Sequence, residues 1–173
     1  SFYALPEDAS LANVFADLGT NITGVIGEGI AAQQIAPGVW VGSLDFIDPT
    51  SGYWAKMEGP DVLNGTGIPT DPNIVYELHA GANLISFPFA GAIEIGAGIP
   101  DDVEPLFDGI IGEGIAAQQL SPFNWVGSLV DWEGLEGYWA KVDEPLSFSF
   151  NPPTFARVDD EIAEVERYPN RFE

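Results

Sequence analysis

Cysteine is absent from the 173 residues, which excludes a disulfide framework, a thiolate metal site and a cysteine nucleophile. Histidine occurs once, as His79, so a His-based metal triad or a Ser-His-Asp arrangement lacks members within one chain. Basic residues are nearly as scarce. Five Lys and Arg face 27 Asp and Glu, a formal net charge of -22, which repels nucleic-acid phosphates and anionic membrane surfaces. No nucleic-acid partner is expected. A long apolar run is also missing: the most apolar stretch, Asn83 to Ile99, is broken by Pro88 and Glu94 and falls short of the ~20 apolar residues of a spanning helix. No membrane insertion is expected. The chain opens at Ser1 without a methionine or a charged-then-apolar leader, and the expectation is a processed, exported protein.

What is present argues for folding. Hydrophobic residues make up 46% of the chain, with eleven Phe and five Trp, enough for packed cores despite the charge. An acidic surface of this kind suits a salty medium, where screening acts within about 8 Å or less, or bound divalent cations.

An offset of 85 residues lays Gly24–Lys56 on Gly109–Lys141 without a gap, and more than half of the aligned positions are identical. The shared core reads Gly27-Glu28-Gly29-Ile30-Ala31-Ala32-Gln33-Gln34, then Trp40-Val41-Gly42-Ser43-Leu44, then Gly52-Tyr53-Trp54-Ala55-Lys56. Its second occurrence begins at Gly112, Trp125 and Gly137. A period this long exceeds the ~20 to 50 residues of solenoid units, so each copy is expected to have its own core. The reading is three segments: a first repeat over residues 1–68, a second over 74–151, and a C-terminal tail over 152–173. Ser1-Phe2 falls on Ser86-Phe87, so the first copy is expected to start in mid-strand, either lacking the counterpart of the second copy's first strand or being part of a longer chain that supplies it.

Residues 74–89, with Val75, Tyr76, Leu84, Ile85 and Phe87, suit a strand or bent strand pair. Leu11, Val14, Phe15 and Leu18 stand at helical spacing within residues 8–18, and Asp101 to Phe107 suggests the matching short helix. Residues 24–35, a turn at Ala36-Pro37-Gly38 and residues 39–44 read as a hairpin, and Tyr53–Met57 as another strand. The fold class is α+β, mostly β: two tandem small β-rich domains, each with one short helix.

Chemistry is sparse. Gly27-Glu28-Gly29-Ile30-Ala31-Ala32 imitates a dinucleotide fingerprint, but Pro37 and Trp40 follow too soon for the helix that motif requires. No cofactor is expected. Glu28 and Glu113 recur at matched positions, as do the only two lysines, Lys56 and Lys141. The pattern predicts one structural ion pair per copy, Glu28 with Lys56 and Glu113 with Lys141, rather than an acid and base pair. No catalytic residue is assigned, and the chain reads as a non-enzyme. Carboxylate-rich loops at Asp45 and Asp48, Asp101 and Asp102, and Asp159 to Glu161 are the candidate Ca²⁺ ligands; none has EF-hand spacing, and a solvated acidic face is the competing reading. Trp40, Trp54, Trp125 and Trp139 recur and Trp132 is extra; repetition favours core packing over a sugar-binding aromatic line. In the tail, Phe155, Val158, Ile162, Val165, Tyr168 and Phe172 are spaced by three or four, which predicts an apolar interaction stripe.

The string Asn83-Leu84-Ile85-Ser86-Phe87-Pro88, with Gly112-Glu113-Gly114, Trp125-Val126-Gly127-Ser128-Leu129 and Gly137-Tyr138-Trp139-Ala140-Lys141, resembles a repeated Gly-Tyr-Trp type module near the C-termini of large secreted bacterial proteins. Tyr168-Pro169-Asn170-Arg171-Phe172 resembles the Tyr-Pro-Asn-Pro-Phe opening of the type IX secretion sorting domain that such proteins often carry, departing from it at Arg171. The resemblance implies export and an extracellular or cell-surface location, and carries no catalytic residues. The expected function is a non-catalytic structural subunit of a surface assembly or filament, its partners other copies of itself joined head to tail. The alternative is a glycan- or peptide-binding adhesion module of a larger secreted protein.

Overall fold

Alternation of buried and exposed residues sets the strands: in Gly137–Val142, Tyr138, Ala140 and Val142 are buried while Lys141 faces solvent, the period-2 pattern of a half-buried pleat. A computed structural model describes residues 2–153; the tail stripe from Phe155 to Phe172 lies outside the described residues. The first copy runs β1 (Ala4–Leu5), α1 (Leu11–Val14), a 3-10 turn (Ala16–Leu18), β2 (Ile22–Ile26), β3 (Ala31–Ala36), β4 (Val39–Gly42), β5 (Trp54–Met57) and β6 (Ile68–Pro69). The second runs β7 (Tyr76–Leu78), β8 (Gly81–Ser86), β9 (Ala92–Glu94), α2 (Ile95–Gly98), a 3-10 turn (Glu104–Leu106), β10 (Phe107–Ile111), β11 (Ala116–Ser121), β12 (Asn124–Gly127), β13 (Asp131–Glu133), β14 (Gly137–Val142) and β15 (Leu146–Phe148). The class is α+β, mostly β, with short helical turns.

The repeat is visible in the sheets. Strands β4-β3-β2-β5 form an antiparallel sheet in the first copy, and β12-β11-β10-β14-β8 form its five-stranded counterpart. The difference is β8, whose residues 81–86 pair with all six residues of β14. Among the described residues the first-copy sheet has four strands, ending at β5. Among the described residues, β5 pairs with β2 alone.

Residues 24–35, read as one arm of a hairpin, are two strands. The peptide N–H of Gly27 donates to the Ile30 carbonyl at 2.9 Å, and Gly29 takes the left-handed φ of +69° that closes this turn at little cost for glycine. The fingerprint-like string is therefore a hairpin turn between β2 and β3, repeated between β10 and β11. The helix expected over residues 8–18 divides into α1 and a 3-10 turn. In the second copy the α-helical turn lies at 95–98, before the predicted segment, and only a 3-10 turn falls within it.

Each copy has its own core. The first packs Leu11, Phe15, Ile22, Val25, Leu44 and Ile47; the second is larger and centres on Phe87, Phe107, Trp132, Tyr138 and Phe150. Trp132, the tryptophan outside the repeat, is the one fully enclosed, ringed by Phe87, Tyr138 and Phe150. The repeated tryptophans are half-buried at Trp40, Trp125 and Trp139 and exposed at Trp54, so their recurrence marks sheet faces rather than core centres.

Candidate functional site

The predicted ion pairs do not form. The Lys141 ammonium binds the Asp108 carboxylate instead, which holds the lysine pKa above its usual value, by hydrogen bonding first and by the nearby negative charge second. The register gives the reason: Lys56 stands opposite Gly24, and Lys141 opposite Gly109. The matched glutamates lie four residues further along, ~13 Å at a strand's rise. Position 108 beside the lysine is Thr23 in the first copy, so Lys56 makes no ion pair among the described residues; its carbonyl accepts from the Thr23 hydroxyl at 3.1 Å.

Glu28 has a different task, at the junction of the two copies. Its Oε2 accepts the Leu84 peptide N–H of β8 at 2.8 Å, and its Oε1 meets His79 Nε2 at 2.6 Å. The other imidazole nitrogen, Nδ1, faces the Ala80 carbonyl at 2.9 Å. With an acceptor at each nitrogen the doubly protonated ring is favoured, and the Ala80 carbonyl, then Glu28, raises the His79 pKa. His79 lies in the turn between β7 and β8 as an exposed junction residue, not on a strand.

Backbone contacts continue the same junction. Gly52 N–H donates to the Leu84 carbonyl at 2.9 Å, Ser86 N–H to the Thr50 carbonyl at 3.0 Å, and Ser86 Oγ to the Pro49 carbonyl at 2.5 Å. Thus β8 pairs with β14 along one edge and with residues 50–52 of the first copy along the other. Gly52 permits the approach: a Cβ there would stand 2.7 Å from the Ile85 carbonyl oxygen. Its counterpart Gly137 lies against it, since a Cβ on Gly137 would be 3.5 Å from Gly52 Cα.

A second candidate is an open cleft of about 420 Å³ in the second copy, lined by Glu94, Asp101, Glu104, Phe123 and Trp125 among others. Glu104 is buried, and its Oε1 accepts the Trp125 indole N–H at 2.7 Å. Burial, and then the charges of Asp101 and Glu94, push its carboxyl above the usual range, against the lowering effect of the indole. The corresponding cleft of the first copy, beside Trp40, has Gly19 where Glu104 stands and is lined mainly by apolar groups such as Phe15 and Pro37. Sequence reading missed Glu104; the signal was its departure from the repeat. No group of three or more His, Asp or Glu among the described residues is arranged to hold a metal ion. Of the calcium candidates, Asp48 caps its own turn through Thr50 at 2.8 Å. No helix among the described residues is long and apolar enough to cross a membrane.

Comparisons with protein-family models, with curated proteins and with solved structures found no match.

Proposed function

We propose that the chain is a non-catalytic structural module of an exported surface assembly, and that it associates with its own kind through strand edges. One observation carries this reading: the repeated turn and strand of the first copy grip the backbone of β8 in the second, with Glu28 and residues 50–52 contacting Leu84 and Ser86. Main-chain recognition of an extended strand is a general mode of protein association, and two of the residues that perform it, Glu28 and Gly52, belong to the repeated sequence. The resemblance to modules of secreted bacterial proteins supports the extracellular location. Glu104 shares its cleft with Glu94 and Asp101, and no histidine or hydroxyl nucleophile is among the residues lining it.

Light scattering on native material, with and without chelator, tests the proposal. Species well above the 18.5 kDa of one chain are expected, and loss of them in chelator would identify divalent cations as part of the assembly. A monomer at every concentration, with or without added calcium, would overturn it.

A further inference from the structure

The repeat supplies an internal comparison for the cleft beside Trp125. Gln119 Nε2 donates to the Glu104 carbonyl at 3.1 Å, and in the first copy Gln34 Nε2 donates to the Gly19 carbonyl at 2.8 Å, so positions 104 and 19 are equivalent. Trp125 on β12 and Trp40 on β4 line the two clefts at matched positions. The turn that enters each of these strands carries Phe123 at a φ of +64° where the first copy has Gly38 at +71°. The same framework thus stands with glycine at both positions in the first copy, and with a carboxylate and an aromatic ring in the second.

Both exchanges oppose stability. A left-handed φ suits glycine and strains a bulky side chain, and Phe123 is 57% exposed, so little burial offsets the strain. Glu104 is 3% exposed, and burial disfavours its charge. Its Oε1 takes the Trp125 indole N–H, whereas Oε2 meets no donor among the described residues and is not sealed off from the cleft. A strained ring and an unmet acceptor on a buried side chain, both facing one cleft, point to a ligand rather than to packing.

We propose that this cleft binds an organic cation, an alkylammonium group set against the Phe123 and Trp125 rings with Glu104 Oε2 as its acceptor. Charge selects the class. Glu94, Asp101 and Glu104 line the cleft and no Lys or Arg does, and a neutral sugar would leave those carboxylates uncompensated. An ammonium donates three hydrogen bonds and accepts none, and aromatic faces attract it. A hard metal ion would gain nothing from the rings, and no group of three carboxylates among the described residues is arranged to hold one. The volume of about 420 Å³ suits a small organic ligand. Lysine side chains and free polyamines both present this group. The site lies within the second copy, so it does not depend on the assembly proposed above.

The test titrates the full chain with diaminopentane, and separately with a lysine N-methylamide acetylated at its α-nitrogen, and follows the tryptophan indole N–H signals by NMR. A saturable shift of Trp125 is expected, with Trp40, at the same position of the other copy, unmoved. Glu104→Gln should weaken binding about tenfold, as loss of a charge-assisted hydrogen bond does, and Phe123→Gly about threefold, as loss of a partly exposed ring contact does. Phe123→Gly restores the first copy's residue, so it should fold and raise the thermal midpoint while binding less. Glu113→Gln, which removes an exposed carboxylate outside the cleft, should change nothing. Tighter binding of the diamine would name a free polyamine as the ligand, and tighter binding of the lysine derivative a protein side chain; either supports the site. No shift at Trp125, an equal shift at Trp40, equal weakening by Glu113→Gln, or tighter binding of methyl glucoside or calcium at Trp125 would each overturn it. Assembly seen by light scattering without amine binding would remove this site and leave the proposed function standing; amine binding by a strictly monomeric chain would do the reverse.

Discussion

Replacing Glu28 with alanine removes the acceptor of one peptide N–H, that of Leu84, and the carboxylate facing His79. Leu84 is 4% exposed, so its amide gains little from water, and an unmet buried donor costs about 1–3 kcal/mol. The His79 contact is largely in solvent and adds little. Replacing Glu113, its twin in sequence, removes a side chain that bonds to no described residue, and surface changes of that kind stay within about 0.5 kcal/mol. Urea unfolding separates the two. With a slope of about 1–3 kcal/mol per molar, Glu28→Ala should lower the midpoint by on the order of 1 M, and Glu113→Ala should leave it nearly unchanged. Glu28→Gln keeps an oxygen for the Leu84 amide and should fall between. Equal midpoints for Glu28→Ala and Glu113→Ala would refute the assignment of Glu28 as the clamp on β8.

The remaining expectations concern charge. The His79 pKa is raised from 6.5 in the folded chain, so its contribution is fully present below about 6.5 and is lost as pH rises through the folded value. His79→Gln should flatten the pH dependence of the thermal midpoint in that window, and a profile identical to the native one would refute this role. Glu104 is raised above 4.5 by burial, so its contribution is present below that value and lost as pH rises through the folded pKa. Glu104→Gln should keep or raise the midpoint at pH about 7, and a lowered one would contradict the reading of an unfavourably buried carboxylate. A chain of charge -22 should gain stability between dilute buffer and about 0.5 M salt, where the screening length shrinks to a few Å; a midpoint unchanged or lowered would show that self-repulsion is not what limits it.

The repeat was legible because both copies meet the same local demands: Gly29 and Gly114 close the same turn, and Trp-Val-Gly-Ser-Leu enters the same strand. The mostly β class, and two strands, β7 and β8, within residues 74–89, were legible from pattern and alignment. The ion pairs did not, because matched residues on neighbouring strands need not stand opposite each other. Register depends on where the Gly-Glu-Gly turn falls, and reading residues 24–35 as one arm hid that turn. The junction role of Glu28 was out of reach for a related reason: its partners, Leu84 and His79, lie in the other copy, outside the aligned stretch from which the pairs were read. Glu104 and Trp132 were obscured by the attention that repetition draws, since both are places where the copies differ. Glu104 replaces Gly19 beside the cleft, and Trp132 replaces Ile47 in the larger core that β7, β8 and β15 enclose.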